Sequence, residues 1–328
     1  MKKAILDVQF NWIFVAVAGA LILLLFGSFI MKQRTASEDS ISGTILVNLE
    51  PIFTGAKVST GTVNILDIPN REIEFDCNEY RVGRASRGLQ DKIVFAPDVI
   101  RGTRLHTWAL SFDVPFKVTN FLYLTSPQVR YIVMGSGDLF DQLHEKIPAE
   151  LGFEFYGSGA SFSDKNNYRV KIVYVGVDVN NDHAAIFTSK SKVTAVKIPA
   201  SGSSDQITFY EKSGDVWVSK GTSNYVYLES IIAAIFSQDK EMYECGMEKA
   251  FKRLNTIAEV YYRRSTELDR LYALDGNSNC ASQHSSALTP LSNLMNLGFS
   301  GAGSIPEYET ELAAINNRAQ IYSCALIY

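Results

Sequence analysis

Several short patterns that identify common catalytic or nucleotide-binding sites are missing from this 328-residue chain. It contains no GxSxG, no HExxH and no GxxxxGK(S/T), so it lacks the usual signatures of serine hydrolases, zinc proteases and P-loop nucleotidases. We therefore expect no metal site and no cofactor, and the sequence does not assign an enzyme class. Four histidines are scattered along the chain, with no two at a metal-ligand spacing: His106, His144, His183 and His284.

Cysteine is scarce, and its four residues are Cys77, Cys245, Cys280 and Cys324. None of them forms a CxxC pair, which disfavours a zinc site. An even number of widely spaced cysteines suits two disulfides in an oxidising compartment, although four unrelated buried thiols are the alternative. Three pairings are open. One of them joins Cys280 to Cys324 around the C-terminal region and pairs Cys77 with Cys245.

An excess of positive charge is also absent. The chain has a formal net charge of −4, and the part after Arg34 carries 27 Lys and Arg against 34 Asp and Glu. An acidic body has no electrostatic attraction to nucleic acid phosphates or to anionic lipid headgroups. We therefore expect no nucleic acid among the partners of this protein.

Only one hydrophobic run is long enough to cross a membrane. Residues 12–31 (WIFVAVAGALILLLFGSFIM) carry no charge and, as a helix, cover about 30 Å, the thickness of the hydrocarbon core. Ala16, Ala18 and Ala20 lie inside the run rather than after it, which disfavours a cleaved signal peptide. We expect a single-pass membrane protein whose retained helix has the lipid bilayer as its partner.

The charges beside this run do not decide its orientation. Lys2 and Lys3 precede it while Lys32 and Arg34 follow it, which is nearly a tie under the positive-inside rule. The cysteines favour an oxidising space for the body, since disulfides persist there. We expect a cytoplasmic amino terminus and an extracytoplasmic body at the cell surface.

The first ten residues, MKKAILDVQF, resemble the class III signal of archaeal type IV pilins and related surface proteins. In that family a basic pair and a small residue precede the cleavage point, as Lys2, Lys3 and Ala4 do here. A polar residue and an aromatic follow it, as Gln9 and Phe10 do here. The chain departs from the family pattern at the cleavage point, where Gly usually precedes and Gln follows. The resemblance implies a pilin-like subunit that assembles through the apolar helix, and a plain signal anchor is the alternative.

Changes of pattern along the chain predict an α+β fold in five parts. The anchor at residues 1–34 and a polar linker at 35–42 precede a β-rich domain at 43–125, a sandwich or barrel. An α/β domain at 126–238 contains a continuous apolar strand at 129–134. A helical region at 239–328 completes the chain. The first strand of the β-rich domain is predicted at residues 43–49 (GTILVNL).

The best candidate ligand site is the turn after the apolar strand. It consists of Gly135, Ser136, Gly137 and Asp138 and precedes a helical pattern. Glycine lets a backbone approach a phosphate, and open α/β sheets bind ligands at the carboxyl ends of their strands. The third glycine of a dinucleotide fingerprint is missing, and Asp138 would repel an anion, so helix capping is the competing role for Asp138.

A second acidic stretch partly matches a calcium-binding loop. Asp178, Asn180 and Asp182 occupy its first three ligand positions, but His183 and Ser189 stand where the loop requires Gly and Glu. A turn between strands explains these residues better, because Asp and Asn favour turns. We predict no calcium site here.

These observations predict a single-pass anchored protein with a structural, adhesive or assembly role, acting through protein partners or self-assembly. Two alternatives stay open. One is a membrane-tethered enzyme or small-ligand-binding domain whose site lies at Gly135 to Asp138, and the other is the pilin-like surface subunit. The overall plan of the chain also resembles uncharacterised single-pass proteins of archaea, a resemblance that implies no mechanism.

Overall fold

The structure is a computed structural model, and it describes residues 2–56, 60–165, 167–187, 192–200 and 206–328. The fold class is α+β, as predicted. The helices of the described residues are α1 Lys2–Ala56, α2 Asp138–Lys146, α3 Asn181–Ala185, α4 Tyr227–Phe236, α5 Lys240–Leu274, α6 Ser278–Met295 and α7 Ile305–Ile321. The strands are β1 Val63–Asp67, β2 Ile73–Phe75, β3 Glu79–Val82, β4 Ala85–Gly88, β5 Ile93–Phe95, β6 Val99–Ile100, β7 Arg104–Asp113, β8 Lys117–Thr125, β9 Val129–Gly135, β10 Glu154–Gly157, β11 Arg169–Val175, β12 Val193–Ile198, β13 Gln206–Ser213 and β14 Val216–Asn224.

Helix α1 is 55 residues long and overturns two predictions. The predicted linker at 35–42 and the predicted strand at 43–49 are both helical. The buried residues Ile45, Leu49 and Phe53 recur every four residues, so they lie on one face of a helix and pack into the body. Burial of this face outweighs the strand propensity of the β-branched residues in GTILVNL.

The β-rich section contains two four-stranded sheets. One has the order β1-β7-β8-β5, and the other has the order β4-β3-β2-β6. Ile73 and Tyr80 of the second sheet share a hydrophobic core with Ala109 and Leu122 of the first. The buried face of α1 belongs to the same core, so this end of the long helix is part of the folded body.

The predicted α/β section contains a six-stranded sheet with the order β10-β9-β11-β12-β13-β14. The first four strands are parallel, and β13 and β14 add an antiparallel hairpin. Every residue of β9 and β11 is buried, which explains why the sequence of β9 is a nearly continuous apolar run. Helix α2 packs on one face of this sheet through Leu139 and Leu143, whereas Phe187, just after α3, packs on the other.

The C-terminal helices form the third layer. Asp239 caps α5 by accepting a hydrogen bond from the Met242 amide at 2.8 Å. Gly246 allows this helix to approach β5, because a Cβ there would lie 2.5 Å from the Phe95 ring. One core contains Phe121 of β8, residues of the six-stranded sheet, and Leu254 of α5. The three predicted regions are therefore layers of one packed body.

Candidate functional site: anchor helix, disulfides and the strand-end turn

The first candidate functional surface is the amino-terminal part of α1. Among the described residues, one segment is long and apolar enough to cross a membrane, namely Phe14–Gln33, with a mean hydropathy of 2.6. None of this segment is buried in the body, and Leu23, Leu24 and Leu25 are exposed. A soluble protein would bury a helix that is apolar on all sides. The segment therefore has the properties of a single transmembrane helix.

The junction between α1 and the body is held by a partly buried carboxylate. Glu50 accepts a hydrogen bond from the Lys92 ammonium at 2.6 Å and lies 3.3 Å from the Arg87 guanidinium. The hydroxyl of Tyr80 donates to the Leu46 carbonyl at 3.2 Å and lies 3.4 Å from Glu50. The hydrogen bond from Lys92 lowers the pKa of Glu50 despite its partial burial. These contacts fix the rotation of α1 on the β-rich sheets.

Sequence reasoning missed this junction, and the reason is the distance along the chain. Lys92 lies 42 residues after Glu50, so no local pattern connects them. The available signal was the four-residue recurrence of Ile45, Leu49 and Phe53, which places Glu50 beside an apolar helical face.

All four cysteines are paired in the structure. Cys77 is joined to Cys245, with a Cα–Cα distance of 6.1 Å, and Cys280 to Cys324, at 5.5 Å. The first disulfide connects the turn between β2 and β3 to α5, where Lys249 also donates a hydrogen bond to the Cys77 carbonyl. The second connects the start of α6 to the segment after α7. The first bond therefore connects the helical layer to the β-rich section, and the second connects two parts of the helical layer.

The predicted ligand turn lies at the carboxyl end of β9. A Cβ on Gly135 would lie 2.3 Å from the Val175 carbonyl oxygen, so close packing of β9 against β11 explains this glycine. Ser136, Gly137 and Asp138 are exposed, and Gly137 is the N-cap of α2 without a side-chain capping bond. Asp138 is the first residue of α2, where its carboxylate complements the helix dipole and disfavours an anion.

The turn nevertheless occupies a switch point of the sheet topology. The connection after β9 runs through α2 on one face to β10, while the connection after β11 runs through α3 toward β12 on the other side. Open α/β sheets bind ligands where neighbouring connections diverge in this way. At this edge Asp178 forms an ion pair with Lys197 at 2.6 Å. This pair and Asp138 give the edge a small charged surface. Gly135 itself is packed against Val175, so its backbone leaves no room for a ligand.

The stretch that partly matches a calcium loop begins a helix. Asn180 caps α3 by accepting a hydrogen bond from the Asp182 amide at 2.9 Å, and His183 lies 3.0 Å from the Tyr174 hydroxyl. Ser189 lies outside the described residues. Within those residues no group of three metal-binding side chains is present. Burial lowers the pKa of His183, as it does for His106 and His284, which favours neutral imidazoles.

No protein-family model, curated protein or solved structure matches this chain. Its function therefore has to be inferred from the geometry of α1, the disulfides and the surface of the body.

Proposed function

We propose that the protein is anchored in a membrane by a single helix, Phe14–Gln33, with its body outside the cytoplasm, in a structural or adhesive role. The observation that carries the proposal is the continuity of α1. Its exposed apolar segment runs without a break into the face that Ile45, Leu49 and Phe53 bury in the body. A rigid helix of this kind holds the body at a fixed height and rotation above the bilayer.

The disulfides support the extracytoplasmic side. Cys77–Cys245 and Cys280–Cys324 account for every cysteine of the chain, and such bonds form and persist in oxidising compartments. The body also lacks an excess of positive charge that would hold it against anionic lipid. Its partners in this role are the bilayer and other proteins of the surface.

The anchor can be tested by placing two lysines at its centre. A Leu23→Lys, Leu24→Lys variant should leave the membrane fraction, because each lysine costs about 3 kcal/mol at the middle of a spanning helix. Leu271→Lys, Leu274→Lys is the matched control, since these two exposed leucines lie in the helical layer of the body. Retention of the first variant in membranes after carbonate extraction would refute the anchor.

Orientation follows from labelling of intact cells with a membrane-impermeant amine reagent. We expect modification of exposed body lysines such as Lys165 and Lys220, and no modification of Lys2 or Lys3 until the cells are permeabilised. The readout is peptide mass spectrometry. Labelling of Lys2 and Lys3 alone in intact cells would place the body in the cytoplasm and overturn this part of the proposal.

A pilin-like subunit is the second candidate function. The unbroken helix from the apolar segment into the body favours it, because subunits that pack through such helices transmit their arrangement directly to the attached bodies. This function requires processing near the resembling signal. The intact mass of protein extracted from its native membrane should then lack residues 1–4, and an unprocessed amino terminus would exclude the pilin-like role.

A further inference from the structure

A polar cleft opens beside the amino-terminal half of α5. Its walls are residues 222–224 of β14, the exposed side of α5, and the connection between α6 and α7 at residues 295–300. Its volume of about 600 Å³ lies within the range of roughly 300–1,000 Å³ that is usual for small-molecule sites. None of these residues belongs to the anchor, the disulfides or the turn at Gly135.

Two asparagines fix the walls of the cleft. The Asn224 side chain donates a hydrogen bond to the Ser300 carbonyl at 2.9 Å and so joins β14 to the α6–α7 connection. The Asn255 side chain donates to the carbonyls of Leu294 and Leu297 at 2.6 and 3.1 Å, which joins α5 to the same connection. The cleft is therefore preorganised, and a ligand does not have to order its walls.

Among the polar groups of the cleft, one carboxylate is both exposed and without an ion pair in the described residues, namely Glu248. Ser223 is only 4% exposed, and its hydroxyl has no hydrogen-bond partner within the described residues. The Ser223 Oγ atom exposes less than 1 Å² to solvent, so this hydroxyl is buried in the wall of the cleft. On α5, Glu244 is paired with Lys240 at 2.7 Å, whereas Glu248 is exposed and has no ion pair within 4.0 Å in the described part of the chain.

The chemistry of the lining selects one class of ligand. Lys240 neutralises Glu244, and Glu248 balances Lys252, so the cleft has no excess of positive charge that would attract phosphates, carboxylates or other anions. Amides, hydroxyls and carboxylates together accept and donate hydrogen bonds at short spacing, which matches adjacent hydroxyl groups. Phe251 and Phe299 pack edge to face beneath the cleft, with their ring centroids 5.3 Å apart, and Phe299 keeps a small exposed part. A sugar ring matches both features, because its hydroxyls lie at the ring edge for hydrogen bonding and its C–H groups form an apolar face.

We propose that the cleft binds a short chain of neutral sugars. Ring hydroxyls bond to the exposed Glu248 carboxylate, and an apolar ring face lies against the small exposed part of Phe299. The proposal goes beyond anchoring, and it would give an adhesive body its ligand. It does not depend on which side of the membrane the body occupies.

The test uses the full chain in lipid nanodiscs, because detergents with sugar headgroups would compete for the cleft. Maltotriose and chitotriose are the neutral probes and trigalacturonate is the anionic one, each titrated to about 10 mM and followed by calorimetry. We expect saturable binding of at least one neutral trisaccharide and none of trigalacturonate. Absence of neutral binding, or equal binding of the anionic probe, would overturn the proposal and leave the membrane anchor unaffected.

Two variants locate the binding. Glu248→Gln should weaken it about tenfold, the usual effect of losing one charged acceptor. The control is Glu241→Gln, the same change on an exposed residue of α5 outside the cleft. Ser300→Trp should abolish binding by filling the cleft while keeping the backbone carbonyl that Asn224 contacts, whereas Ser300→Ala should preserve it. Equal losses in the Glu241 and Glu248 variants would place binding elsewhere and refute the assignment.

Discussion

Replacing Cys77 and Cys245 by serine is expected to lower the free energy of unfolding by about 4–5 kcal/mol, the larger loss expected of the two disulfides. The bond closes a sequence separation of 168 residues, and the entropy that a crosslink removes from the unfolded chain grows with the loop. Without it, the sheet containing β2 and β3 keeps its contacts with α1 but loses its covalent connection to α5.

The matched control is the double serine variant of Cys280 and Cys324. That bond closes a separation of only 44 residues, so its loss should be about 1 kcal/mol smaller on the same entropic scale. Both variants are compared with the parent in nanodiscs by denaturant titration, with the buried Trp108 as the fluorescent reporter. Equal midpoints for the parent and the Cys77 variant would show that this bond does not stabilise the body.

The parts of the fold that could be predicted are those with a strong local pattern. The apolar run at 12–31 and the strand at 129–134 are continuous in the sequence, and α5 shows its helical period through Met247, Phe251 and Leu254. The strand predicted at 43–49 was wrong. The β-branched residues of this segment favour a strand locally, but burial of one helical face against the body favours a helix. The two β-rich sheets form the surface that buries this face of α1, so the helix depends on tertiary contacts that the local sequence does not contain.

Candidate sites show the same division between local and distant information. The turn at Gly135 was visible because its residues are consecutive, and the structure adds that Val175 packs against it. The cleft was missed because Asn224, Glu248 and Ser300 come from separate parts of the chain. The glycine- and serine-rich segment at 298–304 was the one local signal, since such segments commonly form connections at ligand sites.

The second large effect is expected for Glu154, the partner of a buried arginine. Arg130 is 2% exposed, and its guanidinium forms two hydrogen bonds with the Glu154 carboxylate, at 3.0 and 2.8 Å. Burial raises the pKa of this carboxyl, but hydrogen bonds from Arg130, Lys165 and Tyr156 lower it by a larger amount, so the pKa falls to about 2. Glu154→Gln should cost about 3 kcal/mol at pH 7, because it leaves the buried Arg130 guanidinium without its charged partner.

The pH dependence distinguishes this pair from ordinary packing. In the unfolded chain Glu154 becomes protonated below its usual pKa of 4.5. In the folded protein the same carboxyl stays ionised until the pH approaches about 2. The contribution of Glu154 is thus complete above pH 4.5 and disappears as the pH falls to 2, so the parent and the variant should converge over that window. Glu211→Gln is the control, because the pair of Glu211 with Lys220 is exposed and should contribute less than about 1 kcal/mol. A constant difference between the parent and the Glu154 variant from pH 7 to pH 2.5, measured by denaturant midpoints, would contradict the ionic role and leave only the shape of the side chain to explain the loss.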